Sequence, residues 1–353
     1  MRIQAQLTPN AESDKIFAAA IDQRLDQLVD AQIQAAATTN MAQLWRQIGQ
    51  AMQGGKRARP MLVHLGYQLV RDDADPRTIE VGCAYELLHT ALVMHDDIID
   101  QDFRRRGQPT LSAHYRDAAL TRGKSRAAAE HLGNAAALLA GDALIATAIQ
   151  VLTTACAQLG NGERLVEVFH TAIQHSAAGE FDDVLFSSHL ESAGLEDVLC
   201  MHRLKTAAYS FQAPLVTGAL LAGARDDVVE QLEHLAHLLG SCYQIIDDVL
   251  GTFGDEAQTG KPTDSDLREG KMTVLIALAE AIEPTAVQGW RDGELSNDAM
   301  RALFVTHDLE TQARQLAEEC CHQARVQLAA LPVRAHVRTT FRRLIDDLLQ
   351  RTH

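Results

Sequence analysis

The sequence predicts an all-α fold, and three observations lead to that prediction. Ala and Leu dominate the composition, whereas aromatic residues make up only 5% and prolines number only 8. No segment shows the alternation of β-branched residues that is typical of strands. Long segments instead carry apolar residues at helical spacing, as between Glu86 and Asp100. We expect one helical domain over residues 14–353, preceded by a polar and flexible N-terminus at residues 1–13.

Charge and cysteine usage exclude several classes of function. The formal net charge is −15, which disfavours nucleic acid as a partner. The 6 cysteines form no Cys-x-x-Cys pair, so we expect reduced core residues in a cytosolic protein. The N-terminus lacks the basic start and apolar core of a secretion signal. The most apolar segment, residues 135–155, is interrupted by Gly141-Asp142, so we expect a cytoplasmic protein without a membrane span.

The first predicted helices lead to a basic turn. One helix is expected from near Lys15, a second over residues 41–52, and a third over residues 61–70. Gly54-Gly55 permits positive φ after the second helix, and Pro60 suits the first turn of the third. The turn between them reads Lys56-Arg57-Ala58-Arg59. Three cations beside a helix N-terminus predict an anion site, since side chains and helix dipole have the same sign.

A cluster of aspartates ends the next predicted helix, which covers residues 86–100. Asp96 and Asp100 are four residues apart, so both carboxylates lie on one helix face. Like charges repel at that spacing, and negative charge late in a helix opposes the helix dipole. These unfavourable terms predict a bound cation, and carboxylate oxygens suit Mg²⁺. Arg105-Arg106-Gly107 follows and predicts a second anion site.

A second aspartate pair, Asp247-Asp248, lies on another largely apolar helix about 150 residues later. Two such helices facing each other would line a deep central cavity with metal-binding acids. A lone lysine, Lys205, interrupts an apolar helix upstream, which predicts an anion close to it. We expect irregular structure over residues 110–126, helix over residues 127–159, and a mobile lid over residues 255–271.

Paired acids for Mg²⁺ and separate cationic turns predict a site for two diphosphates in a helical cavity. The chemistry that uses such a site is ionisation of an allylic diphosphate, in which charge builds up on the leaving diphosphate. The allylic cation is then attacked by the double bond of a second substrate in a dry apolar pocket. The departing diphosphate accepts the proton that is lost.

The motifs, in order and spacing, resemble those of the trans-isoprenyl diphosphate synthases, or polyprenyl synthetases. They read GGKRARP, DDIIDQDFRRRGQP, GEFDD, KTAAYSF, QIIDD and GKPTDSDLREGKMT, and they cover roughly residues 50–275. The resemblance implies an all-α isoprenoid synthase bundle, a homodimer, and about three Mg²⁺ ions, with Mn²⁺ as a substitute. It also implies isopentenyl diphosphate and an allylic diphosphate (dimethylallyl, geranyl or farnesyl) as substrates.

The resemblance assigns roles to residues by position. The implied metal ligands are Asp96, Asp100 and Asp247, with Asp97 and Asp248 beside them. The implied allylic diphosphate ligands are Arg105, Lys205 and Lys261. The implied isopentenyl diphosphate ligands are Lys56, Arg59, His89 and Arg106. Thr206 and Gln244 correspond to positions near the reacting carbons, and Lys271 is a further implied cation.

The second aspartate motif departs from the family pattern at its last position. That position normally carries Asp, and here it is Gly251. Because the last acid tends to act through water in the family, we expect activity to survive with altered metal affinity.

Product length is predicted from the helix that precedes Asp96, since the growing tail runs along it in this family. One helical turn is ~5.4 Å, comparable to one isoprene unit. Leu92 and Ala91 lie four and five residues before Asp96, and no aromatic residue closes the pocket there. Small Ala91, followed by Leu88, predicts a C20 product, geranylgeranyl diphosphate. A farnesyl or longer-chain product remains the alternative.

Three other functions fit part of the pattern. A class I terpene cyclase shares the cavity and the acids but takes one substrate and does not need Lys56, Arg59 and His89. A non-catalytic regulatory subunit usually lacks the metal acids or the second diphosphate site. A helical scaffold protein would not carry so many motifs in order. The prenyltransferase is therefore the favoured hypothesis.

Overall fold

The computed structural model describes residues 12–55, 57–105, 107–189, 193–254 and 265–350. The described chain is helical except for one two-stranded ribbon and the connecting turns, which confirms the all-α prediction. The helices before residue 160 are α1 (Glu12–Ala35), α2 (Thr39–Ala51), α3 (Ala58–Val70), α4 (Arg77–Ile99), α5 (Leu111–Thr121) and α6 (Arg126–Cys156).

The later helices include one that is a π-helix rather than an α-helix. They are α7 (Gly162–Ser187), α8 (Leu195–His202), the π-helix (Arg203–Gln212), α9 (Ala213–Leu221), α10 (Asp226–Phe253), α11 (Ser265–Arg268), α12 (Val274–Ile282), α13 (Pro284–Arg291), α14 (Asn297–Thr306), α15 (Leu309–Ala330) and α16 (Ala335–Leu349).

The described chain divides into two compact units. The N-terminal unit comprises residues 12–64 and 73–166, and the C-terminal unit comprises residues 65–72 and 167–350. The prediction of a single domain around a central cavity stays a prediction. The predicted flexible segment, residues 1–13, lies outside the described residues up to residue 11, and α1 begins at Glu12.

In the N-terminal unit, α4 packs along α6 and against α1. Its consecutive residues from Val81 to Leu88 are all buried, so the helix is a core element over that length. Gly82 allows the close approach, because a Cβ there would lie 3.0 Å from Ile21 Cδ1 and 3.1 Å from Pro60 Cβ. This packing fixes the position of the aspartates at the end of α4.

The expectation of irregular structure over residues 110–126 is wrong, because α5 occupies most of that segment. Thr110 Oγ1 accepts the N–H of Ala113 at 3.2 Å and caps the helix. Ser112 donates its hydroxyl to Asn134 of α6 at 2.6 Å. The segment appears polar in sequence because only one narrow face of α5 is buried against α6.

The ribbon pairs β1 (Arg104–Arg105) antiparallel with β2 (Gln108–Pro109) directly after α4. Gly107 has a φ of 73°, which the tight turn requires. The ribbon turns the chain back so that Arg105 returns toward the last turn of α4.

In the C-terminal unit, α10 packs against α15 and against the π-helix. Gly240 of α10 allows the second contact, since a Cβ there would lie 2.7 Å from Ala207 Cα. Gly179 of α7 approaches the same segment, because its Cβ would lie 2.7 Å from Lys205 Cα. The π-helix is therefore in close backbone contact with two helices, at Lys205 and at Ala207.

Helix α6 has one further property. Among the described helices it alone is long and apolar enough to cross a membrane, with 50% of its most apolar window buried in the protein. A partly buried core helix gives the same pattern of length and composition.

Candidate active site

One face of α4 carries the first set of predicted site residues in the N-terminal unit. His89, Leu92, Asp96 and Asp100 follow one another at helical spacing, and all four are partly exposed. Asp97 points to the other side and is only 6% exposed. The partly exposed face therefore begins with a histidine, continues with an apolar residue, and ends with two carboxylates.

Arg105 joins the two neighbouring aspartates. Its Nε donates to Asp97 Oδ1 at 2.6 Å, and its NH2 group donates to Asp96 Oδ2 at 2.9 Å. Burial raises the pKa of Asp97 to about 6, although the Arg105 charge opposes that shift. The two carboxylates raise the pKa of Arg105 further above its usual range, against the opposing effect of burial. The structure thus brings together three predicted site residues, and Arg105 partly neutralises the aspartates.

Helix α6 positions the aspartate cluster through His95. A Cβ at Gly141 would lie 2.5 Å from His95 Cδ2, so only glycine leaves room for the imidazole. His95 Nε2 lies 3.3 Å from the carbonyl oxygen of Leu138 and 3.7 Å from Asp142 Oδ1. Gly141 therefore lets α4 approach α6 closely immediately before Asp96.

The basic turn before α3 is built around a buried arginine. Arg57 has a φ of 53° and donates to Asp22 Oδ1 at 2.7 Å, Glu86 Oε1 at 2.9 Å and the Met52 carbonyl at 2.9 Å. Gly55 is required beside it, because a Cβ there would lie 2.5 Å from the Arg57 NH1 atom. Arg57 is thus committed to two protein carboxylates, which corrects the expectation that all three cations of the turn face an anion.

The C-terminal unit holds Lys205 between two acids of α7. Its Nζ lies 2.6 Å from Asp183 Oδ2 and 3.0 Å from Glu180 Oε2. The anion that the sequence predicts near this lysine is therefore, in this structure, a pair of protein carboxylates. Both acids belong to the GEFDD motif, and Gly179 in that motif allows the π-helix to approach.

Thr206 and Gln244 are joined in a hydrogen-bond chain that ends at a buried acid. Thr206 Oγ1 donates to Gln244 Oε1 at 3.0 Å, and Gln244 Nε2 donates to Asp248 Oδ1 at 3.1 Å. Asp248 Oδ2 accepts the backbone N–H of Val274 at 2.8 Å. His202 Nε2 lies 3.5 Å from the same oxygen. The chain fixes the orientation of the Gln244 amide.

Asp248 has the features of a structural acid. It is 4% exposed, and burial raises its pKa to about 7, although the hydrogen bonds from Val274 and Gln244 oppose that shift. Burial also lowers the pKa of His202 to about 4, so the imidazole is neutral. Both carboxylate oxygens of Asp248 have protein donors, which favours a positioning role. Asp247, one residue earlier, is exposed and remains the predicted metal ligand of this helix.

The remaining predicted residues are distributed as follows. Lys56, Arg106 and Lys261 lie outside the described residues. Arg59 is half-buried in the first turn of α3, and Lys271 Nζ lies 2.9 Å from Glu269 Oε2. Of the predicted chain-length residues, Leu88 and Ala91 are fully buried. Only Leu92 is partly exposed, on the same face as Asp96.

The donor set fits Mg²⁺. Asp96, Asp100 and Asp247 offer carboxylate oxygens at partly exposed or exposed positions, which are the hard ligands that this ion prefers. Within the described ranges, no group of three or more His, Cys, Asp or Glu side chains is arranged as a complete metal site. Mg²⁺ keeps several waters and phosphate oxygens beside one or two carboxylates, so a complete protein cage is not required.

Sequence reasoning missed the structural roles of Arg57, Glu86 and His202. Glu86 lies in an apolar helix and Arg57 in a basic run, and each appears ordinary by itself. The signal that was available is Glu86 itself, a charged residue in a buried stretch of α4, which demands a cationic partner. The identity of that partner depends on the tertiary structure.

Comparison with known proteins decides the family. The family model for polyprenyl synthetase matches residues 42–289, which include every predicted site residue. The chain belongs to this family. A geranylgeranyl diphosphate synthase of Sulfolobus acidocaldarius is 37% identical over 225 residues, which cover 63% of this chain and 62% of that protein. The chain therefore matches less than two thirds of that relative's length.

Two further polyprenyl synthetase relatives show the range of products and assemblies. Heptaprenyl diphosphate synthase component 2 of Geobacillus stearothermophilus is 32% identical over 264 residues, covering 75% of this chain and 70% of that protein. The structure of a geranylgeranyl pyrophosphate synthase from Corynebacterium glutamicum, complexed with isoprenyl diphosphate and magnesium, matches with a TM-score of 0.86 at 27% identity. That match covers 95% of this chain and 98% of the other. It confirms the isoprenoid synthase fold.

Removing Glu86 should destabilise the basic turn. We expect Glu86→Ala to lower the free energy of unfolding by about 3–5 kcal/mol. The substitution removes the buried carboxylate partner of Arg57 and leaves Asp22 as its one remaining carboxylate partner. Urea denaturation followed by circular dichroism measures the change. Glu80→Ala is the matched control on the same helix, since its partly exposed pair with Arg24 contributes about 1 kcal/mol or less. Equal losses in both variants would contradict the role assigned to Glu86.

Proposed function

We propose that this chain is a prenyltransferase that condenses isopentenyl diphosphate with an allylic diphosphate, head to tail (1′-4), and releases diphosphate. The observation that carries the proposal is the partly exposed face of α4, where Leu92 precedes Asp96 and Asp100. An apolar tail lying along this face would bring its diphosphate to the carboxylate end. Membership of the polyprenyl synthetase family supports the same assignment.

Asp96 and Asp100 in the N-terminal unit, and Asp247 in the C-terminal unit, would hold Mg²⁺. About three ions are expected, and Mn²⁺ is a chemically reasonable substitute. Mg²⁺, when bound, supplies positive charge that stabilises the departing diphosphate. The structure named above, a relative complexed with isoprenyl diphosphate and magnesium, supports this assignment.

Arg105 and Lys205 would bind the allylic diphosphate by exchanging partners. Arg105 is paired with Asp96 and Asp97, and Lys205 is paired with Glu180 and Asp183. If Asp96 held a metal ion, the Arg105 NH2 group that now pairs with it would be available to donate to a phosphate oxygen. Forked guanidinium groups bind phosphate in a bidentate manner, and Lys acts as a point charge. Lys261 and Lys271 are proposed as further ligands of the same group.

Thr206 and Gln244 would act near the reacting carbons. Because Gln244 donates to Asp248, the carbonyl end of its amide is directed toward Thr206 and presents partial negative charge there. Partial negative charge close to an allylic cation stabilises it without trapping it. A dry apolar surrounding is needed, since water would quench the cation.

The second substrate, isopentenyl diphosphate, is assigned to the basic turn. Lys56, Arg59, His89 and Arg106 are the proposed ligands. Among the described ones, Arg59 and His89 are both partly exposed. Arg57 holds the turn in place through Glu86, so that the neighbouring cations are presented from a fixed backbone. A class I terpene cyclase would have no need for this second anion site.

The proposed product is geranylgeranyl diphosphate, made from a dimethylallyl, geranyl or farnesyl primer. Relatives named as geranylgeranyl diphosphate synthases support the C20 length, while the relative named as a heptaprenyl synthase component shows that the family is not limited to it. Leu92, partly exposed one turn before Asp96, is the residue we assign to the pocket wall. Ala91 and Leu88 are fully buried and contribute through packing.

A second copy of this chain is the proposed partner. Four large apolar residues of α6 are exposed, Leu132, Leu138, Leu139 and Ile149, interspersed with exposed polar residues such as Asp142 and Gln150. A helix with this composition is half-buried in the described chain, and a subunit interface would cover the remainder. We also propose that the protein acts in the cytoplasm, in agreement with its acidic charge and reduced cysteines.

The reaction is tested by a product assay. Purified protein, Mg²⁺ and isopentenyl diphosphate are incubated with each primer, and the dephosphorylated alcohols are sized by mass spectrometry. We expect a C20 alcohol from wild type and a loss of at least about 100-fold in turnover for Asp247→Ala, because charge on the leaving diphosphate is no longer compensated. Asp292→Ala, an exposed acid elsewhere in the same unit, should retain turnover.

Three outcomes of that assay would contradict the proposal or its assignment of metal ligands. Wild-type turnover in Asp247→Ala would refute the assignment of the metal ligands. Release of a cyclic hydrocarbon without elongation would identify a terpene cyclase, and no product from any primer would favour a regulatory subunit.

Substitution of Leu92 should change product length. We expect Leu92→Phe to shift the main product to C15 and Leu92→Ala to lengthen it, since the side chain closes the path of the growing tail. Alcohol sizing by mass spectrometry measures the distribution. Met94→Leu is the control on the same helix, because a volume-conserving change in the buried core leaves the exposed face intact. An unchanged product from both Leu92 variants would place the pocket wall elsewhere.

A charge on the α6 face should separate the proposed dimer. We expect wild type to have the mass of a homodimer by light scattering, and Leu139→Glu to have that of a monomer at micromolar concentration. Val305→Glu places the same charge at an isolated exposed residue on α14 and should remain dimeric. A monomeric wild type would contradict homodimerisation and would favour a different partner chain.

A further inference from the structure

The ribbon that returns Arg105 to α4 is too short to be stable by itself. Its described strands pair two residues each, Arg104–Arg105 with Gln108–Pro109. An isolated two-stranded hairpin is marginally stable at best in water, so this ribbon needs contacts from neighbouring elements. Those contacts decide where the Arg105 guanidinium lies.

Hydrogen bonds from Thr110 close the base of the ribbon. Its backbone N–H donates to the carbonyl oxygen of Phe103 at 3.2 Å, and its Oγ1 donates to that of Asp102 at 3.1 Å. The N–H of Asp102 donates in turn to the Asp97 carbonyl oxygen at 2.8 Å. Phe103, which directly precedes β1, therefore lies at the base of the ribbon, where the chain leaves α4 and enters α5.

Arg116 of α5 covers the ring of Phe103. Its guanidinium carbon lies 3.8 Å from the ring centroid, which is the geometry of a cation–π contact. The Arg116 side chain is only 20% exposed, and removal from water strengthens such a contact. Its Nε also donates to Asp117 Oδ1 at 2.8 Å. The guanidinium is thus held over the residue that begins the ribbon.

Helix α6 in turn fixes the position of Arg116. Helix α5 packs along α6, and a Cβ at Gly133 of α6 would lie 3.2 Å from Arg116 Cβ and would overlap the carbonyl oxygen of Ser112. Glycine at position 133 therefore lets this face of α5 approach α6 closely. Consecutive contacts lead from α6 through Arg116 and Phe103 to the ribbon that carries Arg105.

We propose that Arg116 is a positioning residue for the allylic diphosphate: from its place over Phe103 it holds the ribbon where Arg105 reaches that group. This inference rests on the proposed function, because it assigns a role to a residue that acts through Arg105. Arg116 need not touch the substrate, since its guanidinium is engaged by the Phe103 ring and by Asp117.

The alternative role for Arg116 is purely structural. Its pair with Asp117, whose side chain is 55% exposed, is of the kind that contributes little to stability. A general loss of stability would lower activity whether or not Arg105 is present, whereas a loss of positioning requires Arg105. The two roles therefore differ in whether the effects of changing Arg116 and Arg105 are additive.

Backbone hydrogen exchange of the full chain without substrate, measured by mass spectrometry, tests whether Arg116 anchors the ribbon. We expect Arg116→Met, which keeps an unbranched side chain and removes the guanidinium, to speed exchange over residues 103–110 about 5-fold. Phe103→Leu should give the same change, because it removes the other partner of the same contact. Asp117→Asn and Arg122→Met, the latter at the exposed end of α5, are the controls and should leave this exchange unchanged, since both keep the ring contact.

A double-mutant cycle tests whether the anchor acts through Arg105. With Mg²⁺ and saturating isopentenyl diphosphate, we expect Arg116→Met to lower kcat/KM for the allylic diphosphate about 5-fold. In the Arg105→Met background the same substitution should change kcat/KM by less than about 2-fold, because the charge that needs positioning is no longer there.

The outcomes separate the hypotheses. Unchanged exchange in both Arg116→Met and Phe103→Leu would overturn the inference and leave the proposed function intact. An equal loss of kcat/KM with and without Arg105 would also overturn it, because Arg116 would then be structural. Wild-type kcat/KM in Arg105→Met would refute the assignment of Arg105 and the inference with it, and no product from the wild-type chain would overturn the proposed function itself. Faster exchange together with a loss that requires Arg105 would support the inference.

Discussion

The ion pairs of Arg105 with Asp96 and Asp97 are the interaction on which the candidate site residues of the N-terminal unit depend. Two adjacent carboxylates at the C-terminal end of a helix repel each other and oppose the helix dipole. The positive charge of Arg105 reduces both the repulsion and the unfavourable interaction with the dipole. The ribbon formed by β1 and β2 brings Arg105 back to the end of α4. Because Asp97 is buried and Asp96 is partly exposed, a cation from solvent would compete with Arg105 at Asp96 first.

Two other cations are paired with protein carboxylates in the same way. Lys205 is held by Glu180 and Asp183, and Arg57 is held by Glu86 and Asp22. These pairs differ in burial: Arg57 and Glu86 are almost fully enclosed, whereas Lys205 is about one fifth exposed. A buried pair is strongly destabilised by loss of one partner, so Arg57 is fixed. Lys205 and Arg105 are nearer to solvent, so each of them loses a carboxylate partner at lower cost.

Glycines decide how closely the helices that carry these groups approach each other. Gly141 leaves room for the His95 side chain next to Asp96. Gly179 and Gly240 let the π-helix approach closely at Lys205 and Ala207. Gly251 leaves room for the side chain of Asp266. A π-helix widens the backbone by one residue per turn and often occurs at functional sites. In this chain the consecutive residues Lys205 and Thr206 contact different helices. Lys205 contacts α7, and Thr206 contacts Gln244 of α10.

The sequence by itself determined the all-α class, the two aspartate motifs, the cationic turns and the family, because these depend on local spacing and residue type. Asp96 and Asp100 share a face for any α-helix, whatever surrounds it. The sequence did not predict α5, because most of its residues are polar and only a narrow face is buried. It also did not predict the partners of Arg57 and Lys205. Ala91 and Leu92 are neighbours in sequence, yet only the packing of α4 shows that Ala91 is enclosed and Leu92 is open. Asp266 beside Gly251 joins positions from separate segments, and such contacts arise only when distant helices pack together.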